Sequence, residues 1–287
     1  MNFKKIDDKM KRVENSESKK IKKLVRWLKV FVLIYCTLGI ALYYLQNLFL
    51  FHPVVLARDY KYQFDTPFAE VEIPLNKTDT LSMIKFFPAD SVRKGVLLYF
   101  HGNKGNINRY ARLAANFTSH GYEVWMEDYP GYGKSIGERN ERKLYAQAEQ
   151  VYKMANAVYG KDSILIYGKS FGTGIAAYLA SVKNCRELIL ETPYYDIPDV
   201  FGCYVPFFPV SRIITYKIPT HEFLQEVTVP ITIFHGTNDW VIPYRCAAKL
   251  KKVLKGSDQF ITIEKGSHQG LHKYPLFQQK MDSILNK

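Results

Sequence analysis

The sequence predicts an α/β protein with a mostly parallel central sheet, helices on both faces of that sheet, a small cap insertion and an N-terminal transmembrane helix. Two patterns carry this prediction. From residue 95 onward short apolar runs alternate with helical patterns, and near the N-terminus one apolar run is much longer than a strand needs. Strands that alternate with helices form parallel sheets, because each helix returns the chain across one face. The 287 residues suffice for one large α/β domain and an appendage.

The first 29 residues are predicted to form a basic cytoplasmic tail. They contain eleven lysines and arginines against four aspartates and glutamates, which is more than half of the net charge of +13. The charge excess therefore belongs mostly to the tail and not to a basic surface of the folded part. For this reason the sequence does not predict a nucleic-acid partner.

Residues 30–50 are uncharged and predominantly apolar. As a helix they have about the length that crosses a ~30 Å hydrocarbon core. A buried core helix is one alternative, but cores rarely need so many residues that are apolar all round. A cleaved signal peptide is the other, but no Ala-x-Ala-like site follows Leu50. We therefore predict an uncleaved, single-pass signal-anchor helix whose partner is a lipid bilayer.

The flanking charges predict the orientation of this anchor. Eleven basic residues precede it, whereas only Arg58 and Lys61 lie in the twenty residues that follow it. Since positive charge is retained on the cytoplasmic side, the N-terminus is expected in the cytoplasm and the folded domain on the non-cytoplasmic side.

The remainder is predicted to comprise a linker, residues 51–68, and one folded domain, residues 69–287, with a cap at about 192–226. A hairpin opens the domain, because two alternating runs are joined by a polar turn. The predicted strands are 69–75, 81–87, 95–100, 122–126, 163–167, 187–190, 229–234 and 258–264, and the predicted helices lie near 107–119, 139–158, 171–183, 244–255 and 273–286.

The most informative motif is Gly-Lys-Ser-Phe-Gly at 168–172, between an apolar run and a helix-forming run. A serine flanked by glycines at a strand-to-helix junction is typical of a nucleophile elbow. A P-loop also ends in Gly-Lys-Ser, but Ser163 stands where its first glycine is required, and strand-like residues replace the phosphate loop. A helix N-cap would not need the flanking glycines. We therefore predict that Ser170 is a nucleophile.

Two residues that follow later strands complete the predicted catalytic set. A serine hydroxyl is a weak nucleophile at neutral pH and needs a base, for which we propose His268. The imidazolium that forms needs an orienting anion, for which we propose Asp239. His272 is the alternative base and Glu191 the alternative acid, and His268 is preferred because it lies closer to a strand end.

An oxyanion intermediate needs two hydrogen-bond donors. By elbow geometry one is the backbone N–H of Phe171, and the loop after strand 95–100 is expected to supply the other, the backbone N–H of Asn103. The histidines at 101 and 235 precede glycines at strand ends and are expected to hold loops. The tyrosine-rich run 128–133 is expected to support the site from below.

Five motifs follow one another along the chain, at 101–106, 128–135, 168–172, 191–193 and 235–243. Together they resemble the α/β hydrolases of the Bem46-like type, which include membrane-anchored bacterial hydrolases and the animal serine hydrolases with α/β-hydrolase domains 12, 13 and 17. The resemblance covers roughly residues 50–285 and implies the α/β-hydrolase fold. It also implies hydrolysis of esters or thioesters, since acyl glycerols, lysophospholipids and S-acylated proteins are substrates of various relatives. No metal or organic cofactor is implied.

The predicted function is thus a membrane-anchored serine hydrolase that acts on small or lipid-like acyl esters or thioesters. Two alternatives remain: a peptidase or amidase that uses the same triad, and a catalytically silent membrane-anchored scaffold. The aromatic, proline-rich stretch 193–219 either binds an acyl chain as a cap or closes the core over a short crossover. The cysteines at 185, 203 and 246 lack metal or disulfide spacing and are predicted to pack in the interior.

Overall fold

The computed structural model describes residues 3–90 and 93–286, which cluster into two units, Met1–Asn47 and Leu48–Lys287. Residues 3–47 of the first unit belong to one helix, α1, Phe3–Leu50. Its segment Glu17–Leu50 has a mean hydropathy of 1.9 and is long and apolar enough to span a membrane. The apolar window of this segment is exposed, whereas the core helix of a soluble protein is mostly buried.

The second unit is built on an eight-stranded sheet with strand order β10-β9-β8-β7-β4-β6-β3-β2. β2 and β3 form an antiparallel hairpin, β3 runs antiparallel to β6, and the other neighbours are parallel. This confirms the predicted mostly parallel sheet. Its strands are β2 Phe68–Pro74, β3 Thr80–Phe86, β4 Gly95–Phe100, β6 Tyr122–Glu127, β7 Ile164–Lys169, β8 Glu187–Glu191, β9 Ile231–Gly236 and β10 Gln259–Ile263, while β1 His52–Pro53 and β5 Lys104–Gly105 pair separately.

Helices cover both faces of the sheet. Two predicted helices are shorter than expected: the stretch 107–119 is divided by a 3₁₀ turn, and 244–255 becomes 3₁₀ after one turn. No proline or glycine explains the first division. In the domain the helices are α2 Ile107–Tyr110, α3 Ala115–Thr118, α4 Glu141–Tyr159, α5 Gly172–Val182, α6 Ile197–Tyr204, α7 Val210–Ile213, α8 Thr220–Glu226, α9 Tyr244–Ala247 and α10 Pro275–Leu285.

The core forms because β4 and β7, at the centre of the sheet, are buried along their whole length. On one face Tyr99 and Tyr167 stack with ring centroids 4.9 Å apart, and Phe117 packs against them. On the other face α4 is amphipathic, capped by the Asn140 side chain and ended by Gly160 at φ 71°. The buried centre holds the carboxyl ends of the parallel strands in fixed positions, and the candidate site lies there.

Residues 51–68, predicted as a linker, pack against the domain. The ring of Tyr62 is buried, and Phe64 contacts the ring of Phe86 at 5.1 Å. The segment packs because it is rich in aromatic residues. The polar residues between them give the sequence the pattern of a linker. The segment therefore contributes to the core and not only to spacing.

The cap region contains α6, α7 and α8, inserted between β8 and β9. A disulfide joins Cys203 of α6 to Cys246 of α9. The prediction that these two cysteines only pack was therefore wrong. Their separation of 43 residues hid the pairing, because the fold and not the local spacing brings them together. Cys185 is a free, buried thiol, as the packing prediction required.

Candidate active site

Ser170 lies at a tight junction between β7 and α5 and has φ 51°, a left-handed conformation that side chains rarely adopt. The glycines on both sides leave no room for larger residues. A Cβ on Gly168 would lie 2.6 Å from the Cα of Thr173, and one on Gly172 would lie 2.1 Å from the carbonyl oxygen of Phe100. The junction thus has the geometry of a nucleophile elbow.

The structure brings together the three residues that the sequence predicted as a catalytic set. The Nε2 atom of His268 lies 2.9 Å from the Oγ atom of Ser170, and its Nδ1 atom lies 2.8 Å from Oδ2 of Asp239. All three side chains are buried. This is the arrangement that lets an imidazole accept a hydroxyl proton while a carboxylate orients it.

Asp239 is held as an anion. Burial acts to raise the pKa of this carboxyl, but hydrogen bonding to His268 and to the backbone N–H of Ile242 outweighs it, so the pKa lies below its ordinary value. Its Oδ1 accepts hydrogen bonds from the N–H groups of Val241 and Ile242, both at 2.8 Å. Burial lowers the pKa of neighbouring His235, which favours its neutral form.

The alternative acid and base are not part of this arrangement. Glu191 forms a buried ion pair with Lys169 and accepts a hydrogen bond from the hydroxyl of Tyr167. The Nδ1 atom of His272 is buried without a partner among the described residues. The ion pair of Lys169 with Glu191 was not predicted from the sequence. The signal for it was that two neighbouring parallel strands, β7 and β8, end in a lysine and a glutamate.

The two predicted oxyanion donors lie on loops beside Ser170. A Cβ on Gly102 would lie 3.5 Å from the Cβ of Ser170, so the loop that contains Asn103 borders the elbow. Among the described residues, neither the backbone N–H of Asn103 nor that of Phe171 has a protein acceptor. Both N–H groups are therefore available to a developing negative charge.

The run 128–133 supports this loop from below. The hydroxyl of Tyr129 donates to the carbonyl of His101 at 2.6 Å, and that of Tyr132 donates to the carbonyl of Asn103 at 2.8 Å. Asp128 accepts the backbone N–H of Ile107 at 3.0 Å. These contacts agree with the supporting role predicted for this run. The Nδ1 atom of His101 lies 2.7 Å from the carbonyl oxygen of Gly102, which agrees with the loop-holding role predicted for His101.

One group of side chains has ligand atoms close enough to hold a metal. In the described part of the chain, Asp199, Cys203 and Cys246 lie with these atoms within 4.8 Å of one another. Both sulfur atoms are joined in the disulfide, and Oδ1 of Asp199 pairs with Lys249. The two sulfur ligands of this group are thus bonded to each other and not free to bind a metal.

Comparisons with known proteins indicate the type of domain in which this site lies. The family model described as serine aminopeptidase, S33, of the Hydrolase_4 type, matches residues 91–223. The chain contains an α/β-hydrolase domain. It is 26% identical over 194 residues to alpha/beta hydrolase domain-containing protein 17C of Xenopus laevis and 25% identical to the protein of that name in Homo sapiens, covering 66% of this chain. The matches span 61% and 57% of those relatives, which is less than two thirds of their length.

Solved structures show the same fold for the hydrolase domain. An esterase of Pyrococcus furiosus matches with a TM-score of 0.65 at 15% identity, covering 83% of this chain and 97% of the esterase. Est1E of Butyrivibrio proteoclasticus, solved with ferulic acid, matches with a TM-score of 0.62 at 17% identity, covering 75% and 98%. The comparisons therefore confirm the predicted fold and the resemblance to α/β hydrolases.

Proposed function

We propose that this α/β hydrolase is a membrane-anchored serine hydrolase that cleaves carboxylic esters or thioesters of lipid-like acyl groups through an acyl-Ser170 intermediate. The observation that carries the proposal is the continuous hydrogen-bonded series Asp239, His268, Ser170. These residues and the two oxyanion amides come from four separate loops, so their convergence requires the whole fold.

Each step can be assigned to one group. His268 Nε2 accepts the hydroxyl proton while Oγ of Ser170 attacks the acyl carbon, and the carbonyl electron pair moves to oxygen. The N–H groups of Phe171 and Asn103 stabilise that oxyanion. Its collapse breaks the bond to the alcohol or thiol, which leaves with the proton from His268. Water then attacks the acyl-serine, with His268 again as base, and releases the acid.

Exposed apolar side chains beside Asp239 and in the cap favour an acyl substrate. Trp240, directly after Asp239, is 80% exposed, and Phe207 in the cap is 86% exposed. Apolar groups of this size stabilise an acyl chain by about 0.8 kcal/mol per buried methylene. Peptide or amide hydrolysis is the second candidate, because the matching family model is described as a serine aminopeptidase.

The proposed location has two supports. The Glu17–Leu50 segment has the length and hydropathy of a membrane span. The disulfide between Cys203 and Cys246 favours an oxidising compartment. Together with the basic N-terminal residues, this supports a single-pass protein with a cytoplasmic N-terminus and a hydrolase domain on the opposite side.

The test is a comparison of substrates on the full-length, detergent-solubilised protein. We expect hydrolysis of an acyl ester and its matched thioester and little hydrolysis of the matched amide or of an aminoacyl amide. Ser170→Ala is expected to lower kcat by roughly 10⁴–10⁶. Faster cleavage of the aminoacyl amide would favour the peptidase, whereas absence of turnover in the wild type would favour the scaffold.

A further inference from the structure

The last residue of the apolar helix and the segment that follows it, residues 50–56, lie directly against the loop that contains Asn103; we call them the exit strap. β1 of the strap pairs in parallel with β5, which immediately follows Asn103. The strap continues beyond β1, where Val54 N–H donates to the carbonyl of Gly105 at 2.9 Å and Leu56 N–H donates to that of Gly133 at 2.8 Å. The oxyanion loop is therefore bonded to the strap on one side and to the 128–133 loop on the other.

Asn103 itself makes two hydrogen bonds to the strap. The N–H of His52 donates to its carbonyl oxygen at 3.0 Å, and its side-chain Nδ2 donates to the carbonyl of Leu50 at 2.7 Å. These bonds restrain the peptide units on each side of the Asn103 Cα. The backbone N–H of Asn103 remains unbonded to any described residue, so the strap orients this amide without occupying it.

The strap also reaches the second proposed donor. The ring of Phe51 is buried and contacts the ring of Phe171 edge-on at 5.2 Å. On its other sides Phe51 contacts the ring of Tyr216 at 4.9 Å and the guanidinium of Arg139 at 4.7 Å. The strap thus touches both residues whose amides are assigned to the oxyanion hole.

We propose that the exit strap is a positioning element of the oxyanion hole, so that the hole is correctly formed only while Leu50, Phe51 and His52 are docked against Asn103 and Phe171. This rests on the proposed serine-hydrolase function. Oxyanion donors act only when they lie about 2.7–3.1 Å from the charged oxygen. A displacement of about 1 Å costs on the order of 100-fold in rate. Residues that touch neither substrate nor Ser170 can therefore control kcat.

The decisive variant is Asn103→Leu, which removes the Nδ2 donor to the Leu50 carbonyl, adds no charge beside the oxyanion hole and keeps the backbone N–H. Its matched control is Asn108→Leu, the same change at a side chain that, among the described residues, donates only to the hydroxyl of Tyr60, at 3.2 Å. Both are made in the full-length protein. We expect Asn103→Leu to lower kcat for an acyl ester about 10- to 100-fold with little change in KM, and the control to stay within about twofold.

Inhibitor affinity separates positioning from a merely structural effect. An acyl trifluoromethyl ketone forms an oxyanion on Ser170, whereas the corresponding alcohol does not. Asn103→Leu is expected to lower the affinity for the ketone by the same factor as kcat/KM and to leave the affinity for the alcohol unchanged. The pH dependence of kcat should stay in place, because the His268 and Asp239 contacts are untouched.

Phe51→Leu provides a second variant if Asn103→Leu does not fold. It keeps an apolar side chain and removes the ring contact with Phe171, and it should show the same paired loss of kcat and ketone affinity. If kcat and ketone affinity are unchanged in both variants, whether or not Tm falls, the strap has no positioning role. The proposed function would still stand in that case, provided that the wild type turns over the ester. A wild type without turnover would defeat both.

Discussion

At the residue scale, the backbone of Ser170 is as specialised as its side chain. A left-handed conformation in a residue other than glycine costs about 1–2 kcal/mol. Local hydrogen bonds offset this cost: Ser170 N–H donates to the carbonyl of Glu191 at 2.8 Å, and the Thr173 hydroxyl donates to the carbonyl of Ser170 at 2.6 Å. The left-handed conformation places the hydroxyl above the sheet, within hydrogen-bonding distance of His268.

The two histidines on the last loop allow a direct test of the base. His268→Gln is expected to lower kcat by about 10³-fold or more, because among the described residues no other group within hydrogen-bonding distance of Ser170 Oγ can accept its proton. His272→Gln should change kcat less than tenfold. Steady-state kinetics on an acyl ester measures both. A larger loss in His272→Gln than in His268→Gln would contradict the assignment.

A buried carboxyl outside the site makes stability depend on pH. Glu127 is 1% exposed, and neither carboxyl oxygen has a partner among the described residues. Burial, followed by the charge of Asp128, raises its pKa well above the ordinary value. As pH rises past the ordinary value, the unfolded chain releases this proton before the folded one does, so the free energy of unfolding falls until the raised pKa is passed.

Glu127→Gln should remove this dependence. We expect its Tm, relative to wild type, to be higher at about pH 8 than at about pH 5, since the neutral amide carries no ionisation cost. Thermal unfolding of the detergent-solubilised protein at both pH values measures this. Glu72→Gln, at an exposed position of β2, controls for the loss of a charge. An identical Tm difference at both pH values would contradict the buried, raised pKa.

At the element scale, the junction of β7 and α5 depends on the absence of a side chain at 172. Gly172→Ala is expected to destabilise the domain by about 1–3 kcal/mol or more, because its Cβ would meet the backbone oxygen of Phe100, which cannot move without distorting β4. Gly256→Ala, where no atom lies within 4 Å, is the matched control. Denaturant unfolding compares the two. Equal stability of both variants would contradict the close approach at the elbow.

Elements with a strong local pattern could be predicted from sequence, and those set by distant partners could not. Each strand of the main sheet begins and ends within two residues of its predicted position, since apolar runs bounded by turns define it. The residues at 170, 239 and 268 could be grouped because parallel strands present their ends at one edge. Their catalytic roles remain predictions.

Three features were beyond local reasoning for the same physical reason. The disulfide, the ion pair of Lys169 with Glu191 and the docking of residues 51–68 all join segments far apart in the chain. Taken alone, each segment has a local pattern that indicates no distant partner: a buried cysteine, the end of a strand or a polar linker. Only the folded sheet gives them their partners.

At the scale of the whole molecule, the disulfide tests the proposed orientation. In protein taken directly from membranes and alkylated without reductant, we expect Cys203 and Cys246 to be protected and recovered as one linked pair by mass spectrometry. Cys185, which has no sulfur partner, serves as the internal control, alkylated after denaturation. Free thiols at both 203 and 246 would contradict a domain held in an oxidising compartment.

The central claim is that Ser170 is an activated nucleophile, and covalent labelling measures this most directly. The full-length protein in detergent is treated with a fluorophosphonate probe and the modified residue is mapped by mass spectrometry. We predict one adduct, on Ser170 in the wild type, which is lost in Ser170→Ala and kept in Ser267→Ala, a variant of an exposed serine beside His268. Labelling that persists in Ser170→Ala, or a wild type that does not label, would contradict the claim.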